Sequence, residues 1–156
     1  MKSSVRLIET LNSLLADELT AVNQYMVHAE MNENWGYAKL HSHFRKRSID
    51  EMQHAEKLIA RIIFLEGIPV VSEYRKITIG PEIAKQLEHD HALEASAIVS
   101  YNDAIKVAGD TGDFATREIL ESILRDEDGH IDDIEERLDQ LSHMGAALFL
   151  SSQVKE

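Results

Sequence analysis

Asp50-Glu51-Met52-Gln53-His54 decides how this chain is read, because the pattern returns as Asp126-Glu127-Asp128-Gly129-His130. Residues three apart on an α-helix share a face, so the Glu and His of each segment can grip one centre together. A further Glu precedes each segment at equal distance: Glu18 lies 33 residues before Glu51 (51 − 18), and Glu94 lies 33 before Glu127 (127 − 94). The set repeats at an offset of 76 (94 − 18, 127 − 51, 130 − 54), and Tyr25 with Tyr101 and Leu11 with Leu87 obey the same offset. Such a repeat predicts two helical hairpins packed about a pseudo-twofold axis.

Helical patterns extend outward from these segments. A first helix is expected from about Val5 to Asn32, with Leu11, Leu15, Val22 and Tyr25 on one stripe. Asn34 is expected to cap a second, which carries Leu40, Phe44, Leu58, Ile62 and Leu65 and is closed by Gly67 and Pro69. Gly80-Pro81 opens a third with Leu87, Ile98, Tyr101 and Ile105, broken at Gly109 and Gly112. Asp113 caps a fourth carrying Leu120, Leu124, Ile131, Ile134, Leu138 and Leu141, and Ala146 to Leu150 is read as a short fifth. Short links make antiparallel hairpins of helices one and two and of three and four. The long link from Glu66 to Gly80, with Val70, Val71, Ile77 and Ile79, is what a bundle with one crossover requires. The expected fold is all-α: a four-helix bundle with one long crossover between helices 2 and 3, plus a short C-terminal helix, as a single domain over 1–156.

Composition agrees. Seven Gly and two Pro in 156 residues leave little material for the turns of an all-β fold. Without cysteine there is no disulfide, thiolate site or Cys nucleophile, so a metal site must use His and carboxylates. A net charge of −12, from 28 acidic and 16 basic residues, argues against nucleic acid as partner and suits either cation accumulation or plain solubility. No stretch approaches the roughly 18 apolar residues that span a bilayer, and Met1-Lys2-Ser3-Ser4 leads straight into amphipathic sequence. The chain therefore reads as cytoplasmic.

All four Glu lie on apolar stripes. Four carboxylates in one core cost several kcal/mol each, on the order of magnitude known for buried ions, unless something neutralises them. Two divalent cations supply the four charges, and two neutral imidazoles complete the shells. This is the established arrangement of di-iron and di-manganese carboxylate bundles. The candidate metal and catalytic residues are Glu18, Glu51, His54, Glu94, Glu127 and His130, and oxygen and nitrogen ligands without sulfur fit Fe or Mn. Asp50 and Asp126 are read either as acceptors for the imidazole N–H of the opposite motif or as solvated helix charges. Tyr25 and Tyr101 either hydrogen-bond a ligand carboxylate, donate an electron, or are ordinary buried tyrosines. His91, three before Glu94, is a candidate for contact with the site; His89 is expected to face solvent, while His41 and His43 are unassigned.

Nearly the whole chain resembles a bacterioferritin, a haem-containing ferritin. The resemblance is carried by Leu11 to Tyr25, Asn34-Trp35-Gly36, Ser48-Ile49-Asp50-Glu51-Met52, Ile62 to Gly67 and Met144-Gly145. It implies a ferritin-like bundle in which Glu18 and His54 terminate one iron, Glu94 and His130 the other, and Glu51 and Glu127 bridge them. It implies two Fe ions per subunit, a ferroxidase using O2 or H2O2, and iron storage as ferric mineral in a homo-oligomeric shell of 24 subunits built from dimers. It further implies that Met52 and its twofold mate ligate a haem b shared between two subunits, aiding iron release with electrons from a donor protein. Trp35, expected at the start of the second helix, reads as interfacial packing. Lys46 and Arg47 depart from the family, where acidic residues or His are usual, which weakens an inner-surface iron site near Asp50.

The rivals are a rubrerythrin-like di-metal peroxidase, a shell subunit without a working oxidation centre, and a DNA-protecting miniferritin. The absent cysteines argue against the first, the complete ligand set against the second. A site contained within one chain argues against the third.

Overall fold

In the computed structural model, which describes residues 1–155, Ser4 accepts a hydrogen bond from the Leu7 N–H and opens α1, Val5–Trp35. That helix runs through Asn34, so Asn34 does not cap its successor, and Trp35 ends the first helix instead of starting the second. The reason is Gly36: at φ 82° it turns the chain left-handed, and the N–H groups of Gly36 and Tyr37 return to the Glu33 and Asn32 carbonyls. α2, Ala38–Phe64, then begins with Tyr37 at the cap position and no side-chain cap.

The end of α2 falls at the expected glycine for a different reason. Glu66, not Gly67, takes the left-handed conformation, at φ 62°. The Glu66 and Gly67 N–H groups close onto the Ile63 and Ile62 carbonyls. Gly67 leaves room for Ile8, whose side chain would have to shift from a Cβ placed 2.8 Å away. α3, Ile83–Asp110, starts two residues beyond Pro81; Glu82 holds the extended cap position, so Pro81 precedes the helix instead of filling its first turn. α4, Phe114–Met144, is capped as expected, Asp113 accepting from the Thr116 N–H at 3.0 Å. α5, Ala146–Ser151, follows Gly145.

The result is the expected all-α four-helix bundle with a short C-terminal helix: α1 pairs with α2, α3 with α4, and α1 crosses to α3. Its interior is divided in two. At one end Leu7, Leu11, Leu15, Leu58, Ile62, Leu120 and Ile123 pack together. At the other, Tyr25, Leu40, Phe44, Leu87, Ile134 and Phe149 do so. Each fully buried aliphatic or aromatic side chain contributes about 1.5–3 kcal/mol, and this apolar material holds a polar layer between the two clusters.

The crossover from α2 to α3 is not held by its apolar residues: Val71, Ile77 and Ile79 are exposed. It lies along α1, in the same direction, hydrogen-bonded to a polar stripe. Asn12 accepts from the Val70 N–H, Thr20 from Arg75, Gln24 from Thr78 and His28 from Gly80. Beneath the stripe, Asp90 of α3 is fully buried and takes Gln24 Nε2 at 2.8 Å and His28 Nδ1 at 3.0 Å. The backbone polar groups of a long connection thus find partners on one helix.

Candidate metal centre

Between the two apolar clusters the four helices aim six side chains at one point. Glu18 comes from α1, Glu51 and His54 from α2, Glu94 from α3, and Glu127 and His130 from α4; all are nine-tenths or more buried. Their atoms fall into two overlapping groups, Glu18, Glu51, His54 and Glu127 in one and Glu51, Glu94, Glu127 and His130 in the other, with the ligand atoms of each within 4.8 Å of one another. His54 Nδ1 lies 3.6 Å from Glu18, 3.6 Å from Glu51 and 2.8 Å from Glu127. His130 Nδ1 lies 2.7 Å from Glu51, 3.5 Å from Glu94 and 3.8 Å from Glu127. Glu51 and Glu127 are therefore common to both groups.

Among the described residues, each of the six has one buried polar atom without a well-aligned hydrogen bond: Glu18 Oε2, Glu51 Oε1, His54 Nδ1, Glu94 Oε2, Glu127 Oε1 and His130 Nδ1. Of these, His54 Nδ1 with Glu127 Oε1 and His130 Nδ1 with Glu51 Oε1 meet only as close ion-pair contacts. Native interiors keep few such atoms, and six converging ones form a donor set for cations. The donor chemistry, carboxylate oxygen with imidazole nitrogen, fits iron or manganese.

Electrostatics bear the marks of crowded charge. Burial, then the neighbouring Glu18, Glu127 and Glu94 carboxylates, push Glu51 well above the usual carboxylate range. Burial and the Glu127 contact raise Glu94 to about 8. Burial alone would raise Glu127 too, but its contacts with Glu94, His130 and His54 hold it far below the ordinary value. Burial works against charge on His54, yet Glu127 and Glu18 lift it to about 11; in the same way Glu127 and Glu94 lift His130 to about 9. Imidazolium charge and carboxyl protons offset the buried carboxylates, and two divalent cations would take over that role.

A second layer fixes the first. Asp126 accepts from His54 Nε2 at 2.9 Å and Asp50 faces His130 Nε2 at 3.4 Å, each across the pseudo-twofold to the opposite motif. Both aspartates make the imidazole contact, Asp126 with its side chain still 51% exposed and Asp50 while also pairing with Lys46 at 3.2 Å. Nδ1 of each ring is left for the centre. Tyr25 donates to Glu94 at 2.6 Å and Tyr101 to Glu18 at 2.5 Å, both phenols fully buried and far above their usual pKa through burial and then Glu94 or Glu18.

Two clefts reach the centre from opposite sides. One, of about 270 Å³, is lined by Asp17, Glu18, Glu51, Glu94 and Glu127 with Arg75, Lys76 and His89 at its walls. His89 is thus half-buried beside the carboxylates, not simply solvent-facing. The other cleft exposes the imidazole side, with Asp50, Asp126, Lys46, Lys57 and Arg125.

The remaining histidines lie elsewhere. His91 does not reach the centre: its Nε2 lies 3.6 Å from Glu135 of α4, because one turn before Glu94 the face of α3 is already turned toward its hairpin partner. His41 ties α2 to the Ala29 carbonyl of α1 at 2.9 Å. His28 with Asp90, and His43 with Arg47 and Asp133, are buried polar clusters that periodicity did not reveal, since isolated charged residues on a helix read as solvated.

Met52, next to Glu51 but rotated off its face, is 44% exposed and lines a shallow groove with Val22, Met26, Ala29 and Ile49, bordered by Glu30 and Arg45. No helix among the described residues is long and apolar enough to cross a membrane.

A family model for the ferritin-like domain matches residues 8–144. A bacterioferritin of Rhodobacter capsulatus is 42% identical over 151 residues, covering 95% of this chain and 94% of its own length. One from Brucella melitensis is 41% identical over 145 residues, 93% of this chain and 90% of its own. The bacterioferritin of Streptomyces coelicolor is 35% identical over 156 residues, 100% of this chain and 93% of its own.

Proposed function

Because this chain belongs to the ferritin-like family, and within it to the bacterioferritins, we propose that it stores iron, oxidising Fe(II) at a centre built from Glu18, Glu51, His54, Glu94, Glu127 and His130. The observation that carries the reading is the convergence of four buried carboxylates and two buried imidazoles in two overlapping groups whose ligand atoms lie within 4.8 Å of one another. In this reading the chain acts as one domain over residues 1–156, as a cytoplasmic homo-oligomer whose 24 subunits, assembled from dimers, enclose the mineral.

Fe(II) is the substrate. The carboxylates at the floor of the narrower cleft draw it inward, Asp17 at the wall being paired with Arg75 at 2.8 Å. Glu18 with His54, and Glu94 with His130, hold one Fe(II) each, and Glu51 and Glu127 span the pair. Asp126 and Asp50 keep the Nε2–H tautomer of the two imidazoles, so that Nδ1 presents its lone pair. Tyr101 and Tyr25 fix the outer oxygens of Glu18 and Glu94. Each Fe(II) loses one electron; O2 takes both with two protons to give H2O2, or H2O2 takes both with two protons to give two waters. Paired sites about 3.5–4 Å apart suit such two-electron steps.

For haem b, the residues present fit. Met52 offers a thioether, a legitimate haem ligand, from an exposed apolar groove that a second copy could close. When bound there, haem would supply one-electron transfer for reducing stored Fe(III), fed by an electron-donor protein.

The test adds Fe(II) under air to the purified native assembly while recording its mass and visible spectrum. A shell-sized particle with a fast ferric phase saturating at two irons per subunit, abolished in Glu18→Ala, is expected. A small oligomer that never mineralises would point to a di-metal oxidase, and unchanged kinetics in Glu18→Ala would remove the assigned site. A haem Soret band present in the native protein and lost in Met52→Leu is expected; its persistence would remove Met52 as ligand.

A further inference from the structure

A second polar cluster on α2 and α4 has no part in the oxidation chemistry. His43 and Arg47, one turn apart on α2, are only 9% and 7% exposed. Asp133 and Arg137, one turn apart on α4, face them. Asp133 takes Arg47 Nη2 at 2.9 Å, lies 3.4 Å from His43 Nδ1, and also pairs with the Arg137 guanidinium. One carboxylate therefore answers two guanidinium cations and a ring N–H. Among the described residues the surplus is all on the nitrogen side: Arg47 Nε and Nη1 and His43 Nε2 are buried with no partner. Buried donors of a charged group left unpaired are costly, which marks a place where an acceptor belongs.

These groups line a cleft of about 630 Å³. Its cations are Lys39, Lys46, Arg47 and Arg137, its carboxylates Asp133 and Glu136. Lys46 also pairs with Asp50 at 3.2 Å. Counting Asp50 as well, four cations meet three carboxylates among the described residues, a positive balance on a chain whose net charge is −12.

We propose that this cleft binds inorganic phosphate as hydrogenphosphate. Its unprotonated oxygens would accept from Arg47 Nε and Nη1, with Lys39 and Arg137 supplying further charge at the rim. Its P–OH would donate to His43 Nε2. That ring is neutral, held at about 3 by burial and then by the Arg137 and Arg47 charges; with Nδ1–H turned to Asp133, it presents a lone pair to the cleft. Sulfate, fully ionised at neutral pH, lacks that proton and should bind more weakly. Lys46 and Arg47 also line the adjoining cleft with His54 and His130, so a bound phosphate would stand beside the imidazole side of the metal centre. The binding itself rests on none of the iron chemistry.

The experiment is calorimetric titration of the assembled, metal-free protein with sodium phosphate in a phosphate-free buffer, with 31P line broadening as a second readout, and sodium sulfate in parallel. One saturable phosphate per subunit is expected, roughly tenfold weaker in Arg47→Gln, the scale of one charge-assisted hydrogen bond. Lys39→Gln leaves the Arg47–Asp133 pair intact and should weaken binding several-fold, which keeps the test informative if Arg47→Gln misfolds. Absence of saturable binding in the low-millimolar range, or equal affinity in both variants and the native protein, would overturn the site. Sulfate binding as tightly as phosphate would overturn the choice of hydrogenphosphate and the role of His43.

Discussion

Tyr101 of α3 donates its phenolic proton to Glu18 of α1 at 2.5 Å, joining the second hairpin to a side chain of the first. The bond leaves Oε2 of Glu18 as the free oxygen facing the centre. Tyr101→Phe should therefore loosen one metal subsite and spare the other, which Tyr25 serves through Glu94. Anaerobic Co(II) titration should show one of two binding steps weakened about 10–100-fold, the range usual when a group orienting a metal ligand is lost. Equal weakening of both steps would contradict the assignment. Stability of the metal-free protein should fall by about 1 kcal/mol.

Glu51 separates folding from metal binding. Burial and its three carboxylate neighbours favour its protonated form, which glutamine imitates in shape and charge. Glu51→Gln should leave the metal-free protein within about 1 kcal/mol of the native stability. Iron oxidation should fall on the order of a hundredfold or more, because an amide cannot span two cations as a carboxylate does. Thermal unfolding of the metal-free protein and initial rates of ferric absorbance test the two halves of this statement.

His43 gives the fold a dependence on pH. Its folded value of about 3 lies below the ordinary 6.5, so the native state disfavours the charged ring. As pH falls below 6.5 the unfolded chain takes up a proton that the folded chain refuses until about 3, and stability drains away across that window. His43→Gln should flatten the decline by up to about 1 kcal/mol per pH unit between pH 6 and 4.5, roughly the one-proton slope. Urea unfolding of both proteins in phosphate-free buffer measures it; parallel curves would refute the reading.

Two glycines should respond in opposite directions to alanine. At Gly80 a Cβ would lie 2.3 Å from the Gln86 backbone nitrogen, at the turn that presents the Gly80 N–H to His28. Gly80→Ala should destabilise by about 2 kcal/mol or more through overpacking against backbone. Gly129 lies in mid-helix with open space around the position, and Gly129→Ala should stabilise by about 0.5–1 kcal/mol. Chemical denaturation midpoints of the two variants give both signs.

The hairpins, the crossover and the meeting of Glu18, Glu51, His54, Glu94, Glu127 and His130 were legible from spacing, because a helical face is a periodic property. Four Glu on apolar stripes gave reason to expect a neutralising partner, whether protons, imidazolium or cations. What spacing did not reveal was which neighbour each face meets. His91 shares a stripe with Glu94 but turns to Glu135, and His89 lines the cleft that leads to the carboxylates. The partners of Tyr25 and Tyr101 depended on packing between hairpins, so three readings stood open. Asn34 has the chemistry of a cap, yet Gly36 sets the break two residues later because glycine takes the left-handed turn without steric cost. The crossover was legible in length but not in its attachment, since hydrogen bonds from Asn12, Thr20, Gln24 and His28 leave no apolar period to read.

The pairing of the two hairpins has a consequence for quality control. Every supporting contact at the centre crosses the seam: Tyr25 to Glu94, Tyr101 to Glu18, His54 to Asp126, His130 to Asp50. Neither half of the chain can assemble a subsite with its own residues, since each group of four draws on both. A chain whose halves docked out of register by even one turn would scatter the donors and could not take up metal. Under the proposed function, metal uptake would then proofread the native pairing, rewarding only the copy in which both halves have found their proper register.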